Sequence, residues 1–117
     1  VTGIEKNKND ENYLPLQENL KLRQKSRLEN GKQLNIVELP MPNPVIWEDQ
    51  RLPASYANFY ISNYGVIVPL YSCPQDEEAI DILSKLFTDR KVIGIDSTDI
   101  IWGLGSFHCL SQQEPKL

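Results

Sequence analysis

The chain has 117 residues and a net charge of −4, so it is about one domain in length and carries an excess of acidic side chains. Hydrophobic residues make up 40% and charged residues 24%, which are ordinary values for a globular protein. The negative charge and the lack of a lysine and arginine cluster argue against nucleic acid and anionic membrane surfaces as partners. No apolar run approaches the roughly 20 residues needed to span a bilayer, so no membrane partner is expected.

Cysteine and histidine are scarce, which bears on metal binding and on the cellular compartment. The two cysteines, Cys73 and Cys109, are too few for a disulfide scaffold and lack the spacing of metal ligands. The single histidine, His108, leaves a zinc ion without enough ligands. We therefore expect no metal site and a reducing, cytoplasmic location.

The first half of the chain predicts one helix and one strand. The first dozen residues are mostly polar or charged and predict a loop or a frayed end. Residues 15–30 predict a helix with a loose apolar stripe, and Gly31 suits the position past its end. Residues 33–40 predict a buried strand, whereas residues 41–53, which hold three prolines, predict a long loop.

The second half of the chain has stronger signals. Residues 55–62 and 65–71 predict two strands joined by a tight hairpin. Residues 76–87 predict a helix, because apolar side chains recur at three and four residues and acidic side chains open its first turn. Residues 91–96 form a short apolar run that predicts a strand, and residues 103–115 predict another strand after a turn with two glycines.

The order of these elements predicts an α/β protein built from repeated units. The hairpin, helix and strand make a β-β-α-β unit that is complete between about residues 55 and 96. Residues 1 to about 48 would be the tail of a preceding unit, and residues 97–117 the turn and strand that begin the next. Because the chain also begins at Val1 without an initiator methionine, we expect a fragment of a longer protein.

The segment GLGSFHCLSQQEP, residues 103–115, holds the strongest candidate for a functional side chain. In a strand, Cys109 and Ser111 would share one face. A cysteine in a strand is most often buried packing. However, Gly103 and Gly105 allow a close backbone approach just before it, and the residues after it turn polar at once. Cys109 is therefore either a small core residue or a thiol at the rim of a pocket.

His108 precedes Cys109 and invites the hypothesis of a cysteine–histidine pair. Adjacent residues of a strand project to opposite faces, so the imidazole would not easily reach the neighbouring thiol. A structural or supporting role is the alternative for His108. Since the chain has no other histidine, a base for Cys109 would have to come from elsewhere.

Four stretches together resemble a known family: RLPASYANFYISNYGVIVPLY, DEEAIDILSKLF, KVIGID and GLGSFHCLSQQEP. They are similar to the C-terminal part of the agmatine deiminases, which belong with the Porphyromonas-type peptidyl-arginine deiminases in the guanidino-group-modifying superfamily. The resemblance covers nearly the whole chain. The last stretch departs from the family motif at six positions: Leu104, Ser106, Phe107, Leu110, Ser111 and Glu114.

The resemblance implies a fold and a set of site residues. The fold would be the C-terminal portion of a five-bladed α/β propeller of β-β-α-β units. Cys109 would match the catalytic nucleophile, and Gly103, Gly105 and His108 the pocket segment around it. The catalytic histidine and the carboxylates that bind the guanidinium would come from earlier units, so the 117 residues alone are expected to be inactive.

The resemblance also implies an activity. The enzyme would convert agmatine and water to N-carbamoylputrescine and ammonia, a step toward putrescine, through a covalent amidino-cysteine. Deimination of peptidyl-arginine to citrulline is the alternative within the family, and a non-catalytic interaction module is the alternative outside it. No metal or organic cofactor is implied. The expected partners are a small cationic guanidino substrate and the remainder of the same enzyme chain, and a homo-oligomer is allowed.

Overall fold

The structure, a computed structural model, describes residues 1–115. A three-stranded sheet packs against one helix, and a second helix and two small strand pairs precede it; the core is built from this sheet and helix together with residues of the preceding and following segments. In chain order the elements are β1 (Thr2–Ile4), α1 (Tyr13–Lys25), β2 (Glu38–Pro40), β3 (Ile46–Trp47), β4 (Gln50–Arg51), β5 (Tyr60–Ile61), β6 (Gly65–Leu70), α2 (Gln75–Leu86), β7 (Lys91–Asp96) and a 3-10 helix (Ile100–Gly103).

The three-stranded sheet has the order β5-β6-β7. β5 pairs antiparallel with β6 across a tight turn, and β7 runs parallel to β6 after the crossover through α2. Val66 and Val68 of β6 and Ala79 and Leu83 of α2 are fully buried in one cluster. The predictions of the helix, of the β6 strand and of the β7 strand are confirmed. The apolar residues of α2 recur with the spacing of its buried face, and β6 is a mostly buried apolar run, whereas no residue of β7 is buried.

The strand predicted over residues 55–62 is mostly wrong, since β5 keeps only two residues. Its first half leaves the sheet and enters the core. Tyr56 is fully buried, and its hydroxyl donates a hydrogen bond to Asp76 Oδ1 at 2.6 Å. A buried phenol hydroxyl needs such a partner. The position of Tyr56 is therefore set by this hydrogen bond and not by the alternating side-chain directions of a strand.

Helix α1 is shorter than predicted, because it ends at Lys25 and not at residue 30. None of its residues is buried, so little packing supports a longer helix. The chain turns extended at Ser26, and Arg27 pairs with Gln33 across a turn in which Gly31 adopts φ +78°. Within residues 1–115 no helix is long and apolar enough to cross a membrane.

The first dozen residues were predicted to be a loop or a frayed end, and this prediction is wrong because they contain β1. β1 pairs in parallel with β2, and Thr2 is buried. The strand predicted over residues 33–40 is correspondingly short, because only residues 38–40 pair with β1. The partner of each strand lies more than thirty residues away in sequence, so local composition does not indicate the pairing.

The long loop predicted over residues 41–53 contains a small hairpin, β3–β4. Glu48 and Asp49 form its two-residue turn with φ of 45° and 64°. Two left-handed residues are what a tight hairpin turn of this length requires, usually supplied by asparagine and glycine. Without those residues the sequence gives no hairpin signal. The ring of Trp47 lies on that of Trp102 in the 3-10 helix, with centroids 3.7 Å apart.

The strand predicted over residues 103–115 is wrong. β7 is followed by the 3-10 helix and then by a helical turn over residues 107–110, in which Leu110 N donates to Ser106 O at 3.0 Å. Within the described residues the turn pairs with no strand, and the N–H groups of His108 and Cys109 are accepted by Asn58 instead. The last two residues of the segment 97–117 lie outside the described residues.

Candidate functional site

Cys109 lies on the helical turn that follows the 3-10 helix, and its side chain is exposed. Because the turn is helical, the strand alternation predicted for Cys109 and Ser111 does not apply. Ser111 instead closes the turn, since its N–H donates to His108 O at 3.2 Å. Of the two alternatives for Cys109, the geometry favours a presented thiol over a buried packing residue.

Asn58, from the segment before β5, holds the Cys109 turn at three points. Its Oδ1 accepts the Cys109 backbone N–H at 3.1 Å, and its Nδ2 donates to Cys109 Sγ at 3.1 Å. Its backbone carbonyl accepts the N–H of His108 at 3.2 Å. These contacts join positions 51 residues apart in sequence, and they fix both the backbone and the sulfur of Cys109.

Gly105 is the second residue that shapes the turn. A Cβ on Gly105 would lie 2.6 Å from Cys109 Cβ and 3.2 Å from its sulfur, closer than packed atoms approach. The predicted close approach at Gly105 is thus present, and the group that approaches is Cys109 itself. A Cβ on Gly103 would meet nothing within 4 Å. The left-handed residue of the segment is Leu104, with φ 62°, and not a glycine.

A buried hydroxyl pair ties the start of the turn to the sheet. Ser97, which follows β7, and Ser106 are both fully buried, and their hydroxyl oxygens are 2.6 Å apart. Ile101, in the 3-10 helix between them, is also fully buried. The turn that carries Cys109 is therefore anchored to the core at one end and to Asn58 at the other.

His108 points away from this arrangement. Its side chain is exposed and lines a cavity of about 270 Å³ together with Phe59 and Tyr60. The described hydrogen bonds of Cys109 Sγ go to Asn58 and not to the imidazole. The prediction that His108 does not serve as the base for its neighbour agrees with this geometry, although the strand from which it was argued is absent.

Of the acidic residues Asp96, Asp99 and Glu48, Asp96 is the one whose side chain has hydrogen-bond partners among the described residues. Asp96 accepts hydrogen bonds from Thr98 and from the Ser72 hydroxyl, which lower the pKa of the Asp96 carboxyl below its usual range. These hydrogen bonds from Thr98 are those of an aspartate that caps a turn. Asp99 stands at the start of the 3-10 helix without a side-chain cap, and Glu48 stands at the tip of the β3–β4 hairpin. Within residues 1–115 no group of three or more histidine, cysteine or acidic side chains could hold a metal ion.

Cys73 contrasts with Cys109 because it is partly buried among polar groups before α2. Its sulfur lies 3.2 Å from the Tyr56 hydroxyl, and Asp76 accepts the Cys73 backbone N–H at 3.2 Å. Burial, together with the hydrogen bond to Asp76, raises the pKa of Tyr56 far above its usual value, so this phenol stays protonated. The arrangement fastens the start of α2 to the core.

Sequence reasoning missed Asn58, Ser97 and Ser106. Asn58 and Ser97 carry no periodic or motif signal of their own, and Ser106, although it stands in the segment 103–115, gives no sign in the sequence of its contact with Ser97. Asn58 stands within the stretch RLPASYANFYISNYGVIVPLY, but its contact with Cys109 follows only from the fold.

Solved structures share this mixed α/β fold. A Porphyromonas gingivalis structure described as a "Putative Arginine Deiminase" matches 97% of this chain and 34% of its own, with a TM-score of 0.93 at 36% identity. The C. jejuni agmatine deiminase matches 92% of this chain and 32% of its own, with a TM-score of 0.77 at 39% identity. A curated relative from Latilactobacillus sakei named "Putative agmatine deiminase" is 35% identical over an alignment of 103 positions, with 73% of this chain and 28% of the relative covered.

The fold is thus that of a deiminase-type enzyme family. The chain belongs to the Porphyromonas-type peptidyl-arginine deiminase family, whose model matches residues 1–115. It spans about a third of the length of the relatives and structures that it matches.

Proposed function

We propose that Cys109 is the nucleophile of an enzyme that hydrolyses a C–N bond of a guanidino group, and that agmatine is the substrate. Agmatine and water would give N-carbamoylputrescine and ammonia, a step toward putrescine. The observation that carries the proposal is the exposed Cys109 thiol, held on a turn by Asn58. Membership in a family with relatives named as deiminases supports the class of reaction.

The proposed reaction has two halves that both pass through Cys109. The thiolate attacks the central guanidinium carbon and forms a C–S bond, and one nitrogen leaves as ammonia after a histidine protonates it. This leaves an amidino thioether on Cys109. The same histidine then takes a proton from water, which attacks the carbon; the C–S bond breaks and the thiolate is regenerated. The product is a ureido group.

The remaining groups of this site are proposed to come from the rest of the same enzyme chain. A planar cation such as guanidinium is best held by carboxylates in bidentate pairs, which fix its plane and offset its charge. Within residues 1–115, Asp96 is engaged in capping, and His108 lines a separate cavity. The 117 residues alone are therefore expected to be inactive. The proposed mechanism requires no metal or organic cofactor, and a cytoplasmic location is proposed with it.

We propose that the chain contributes parts of three successive units to a five-bladed propeller. The boundaries are residues 1 to about 48, about 55–96, and 97–117. The strands β5, β6 and β7 form one sheet, and α2 lies between β6 and β7 in the chain; this order supports the middle unit. The last unit would begin with the 3-10 helix and the turn that presents Cys109.

Replacing Cys109 by serine in the full-length protein tests the assignment of the nucleophile. We expect the Cys109→Ser variant to fold normally and to lose ammonia release from agmatine by at least about 10³-fold, because an unactivated hydroxyl is a poor nucleophile. The matched control is Cys73→Ser, which should keep turnover within about threefold because Cys73 lies in another environment. Residual turnover of Cys109→Ser within about tenfold of wild type would contradict the proposal.

Deimination of peptidyl-arginine is the second candidate, favoured by the description of the family that the chain matches. Agmatine carries a distal ammonium, whereas a peptidyl-arginine carries a neutral backbone there, so the two differ at the mouth of the pocket. We expect a higher kcat/KM for agmatine than for an arginine peptide blocked at both ends. The opposite order would assign the chain to peptide deimination, and an inert wild type would favour a non-catalytic module.

A further inference from the structure

Asn58 does more than connect two loops, because its side chain contacts the sulfur of Cys109 as well as the backbone. Its two side-chain atoms engage Cys109 at different points, the backbone N–H and the sulfur. The backbone N–H of Cys109 is an obligate donor, so the atom facing it must be the amide oxygen. The NH₂ group is then directed at the sulfur. The assignment of the amide therefore follows from the hydrogen-bonding pattern alone.

We propose that Asn58 is a positioning residue for the reaction of Cys109, which holds the turn through Oδ1 and directs and stabilises the reacting sulfur through Nδ2. This inference rests on the proposed function, since it concerns the same sulfur. An N–H donor stabilises a sulfur that carries negative charge more than one that carries a proton. The sulfur is anionic when it attacks and again when it leaves the amidino intermediate, so the same donor acts in both halves of the reaction.

The position of Asn58 suits this role because the turn has little other support at its exposed end. Leu104 and Leu110, on either side of Cys109, are 68% and 70% exposed. Packing therefore does not fix the sulfur, and the hydrogen bonds from Asn58 do. Gly105 leaves the other side of Cys109 free of a Cβ, which allows the thiol to sit against the backbone while Asn58 holds it.

The substitution Asn58→Asp separates the two contacts. Aspartate has the same shape and keeps an oxygen that accepts the Cys109 N–H. It replaces the NH₂ donor with a carboxylate oxygen, which would repel a negatively charged sulfur. Asn58→Ala removes both contacts. The matched control is Asn19→Asp, which places the same new charge at an exposed position of α1.

The measurement is the rate of alkylation by iodoacetamide in the full-length protein at neutral pH, quantified separately at Cys109 and at Cys73 by peptide mass spectrometry. We expect Asn58→Asp to slow alkylation of Cys109 by about tenfold or more. Alkylation of Cys73 in the same samples should not change, and Asn19→Asp should match wild type at both cysteines. In the turnover assay, kcat of Asn58→Asp should fall by about 10²-fold with KM within about twofold, since the donor acts on the sulfur and not on bound substrate.

Wild-type alkylation of Cys109 in Asn58→Asp would overturn the inference and leave Asn58 as a support of the turn only. If Asn58→Asp lowers the melting temperature, the comparison is made at a temperature where circular dichroism shows both proteins folded. Slow alkylation of Cys109 in a folded Asn58→Asp then supports the inference. The alkylation result does not depend on turnover, so a wild type that is inactive on guanidino compounds would overturn the proposed function and leave the role of Asn58 decided by its own measurement.

Discussion

Around Cys109, two neighbouring glycines have different surroundings. Gly105 packs its Cα against Cys109, whereas Gly103 has open space where a Cβ would be. A methyl group on Gly105 would have to displace the turn, because Cys109 Cβ lies next to the backbone and cannot swing away as the end of a long side chain would. The position of the sulfur thus depends on the absence of one side chain at residue 105.

Gly105→Ala and Gly103→Ala form a matched pair that tests this dependence. We expect Gly105→Ala to lower kcat/KM by about 10²-fold, because a displacement of about 1 Å at a reacting atom costs that much. Gly103→Ala should stay within about threefold of wild type. The comparison uses the full-length protein, the agmatine assay and a thermal melt. Equal activities of the two variants would show that Gly105 does not shape the site.

Between elements, one largely buried ion pair ties the hairpin β3–β4 to the start of α1. Arg51 Nη1 donates to Asp10 Oδ1 at 2.8 Å and to Oδ2 at 2.9 Å, and the Arg51 and Asp10 side chains are only 20% and 10% exposed. The hydrogen bond from Arg51 holds the pKa of the Asp10 carboxyl below its usual range. A carboxyl whose pKa is lowered on folding stabilises the folded state at any pH above its ordinary pKa. This contribution is lost as the pH falls through the pKa of the carboxyl in the folded protein.

Arg51→Gln is expected to lower the free energy of unfolding at pH 7 by about 1.5 to 3 kcal/mol, the contribution of a hydrogen bond to a charged group. The difference from wild type should shrink as the pH falls below the ordinary 3.8 of Asp10, since protonation removes the charge in both proteins. Urea unfolding of both proteins at pH 7 and pH 3 measures this difference in the free energy of unfolding. The control is Lys85→Gln, whose partner Asp81 is exposed, with an expected effect below about 1 kcal/mol. A difference that grows on acidification would contradict the assignment.

The elements also show what the sequence could predict. The apolar spacing of α2 and the continuous apolar runs of β6 and β7 are local signals, so these three elements were predictable within about a residue. The pairing of β1 with β2 and the hairpin β3–β4 were not, because one depends on distant partners and the other on a turn without glycine. The segment 103–115 was predicted as a strand from its apolar residues, and the contact from Asn58 that holds it as a turn cannot be read from local sequence.

At the scale of the whole molecule, residues 1–115 leave an apolar sheet face open. Ile93 and Ile95 of β7 are 48% and 44% exposed, whereas Val66 and Val68 of the neighbouring strand are buried under α2. β5 and β7 are both edge strands, and edges with unpaired backbone groups favour association with further strands. Since the chain spans about a third of its relatives, these surfaces agree with the proposal that further units of the same enzyme pack against it.

The candidate site, too, could be predicted only in part from the sequence. The family membership and the nucleophile candidate could be inferred from the ordered residues of GLGSFHCLSQQEP, but the geometry that presents Cys109 comes from Asn58, Gly105 and the buried pair of serines. Gly105 and Ser106 stand within that segment, whereas no local pattern marks Asn58 or Ser97, and the contacts of all four residues are made only in the folded chain.

Mass spectrometry of the full-length protein, quenched with acid during turnover of agmatine, tests most directly whether Cys109 is the nucleophile. We expect a peptide containing Cys109 whose mass is increased by that of agmatine less ammonia, while the peptide containing Cys73 is unmodified. The adduct should be absent from the Cys109→Ser variant. Two results would contradict the assignment of Cys109 as the nucleophile. One is steady turnover of agmatine with the adduct on another residue, and the other is release of ammonia by Cys109→Ser at the wild-type rate.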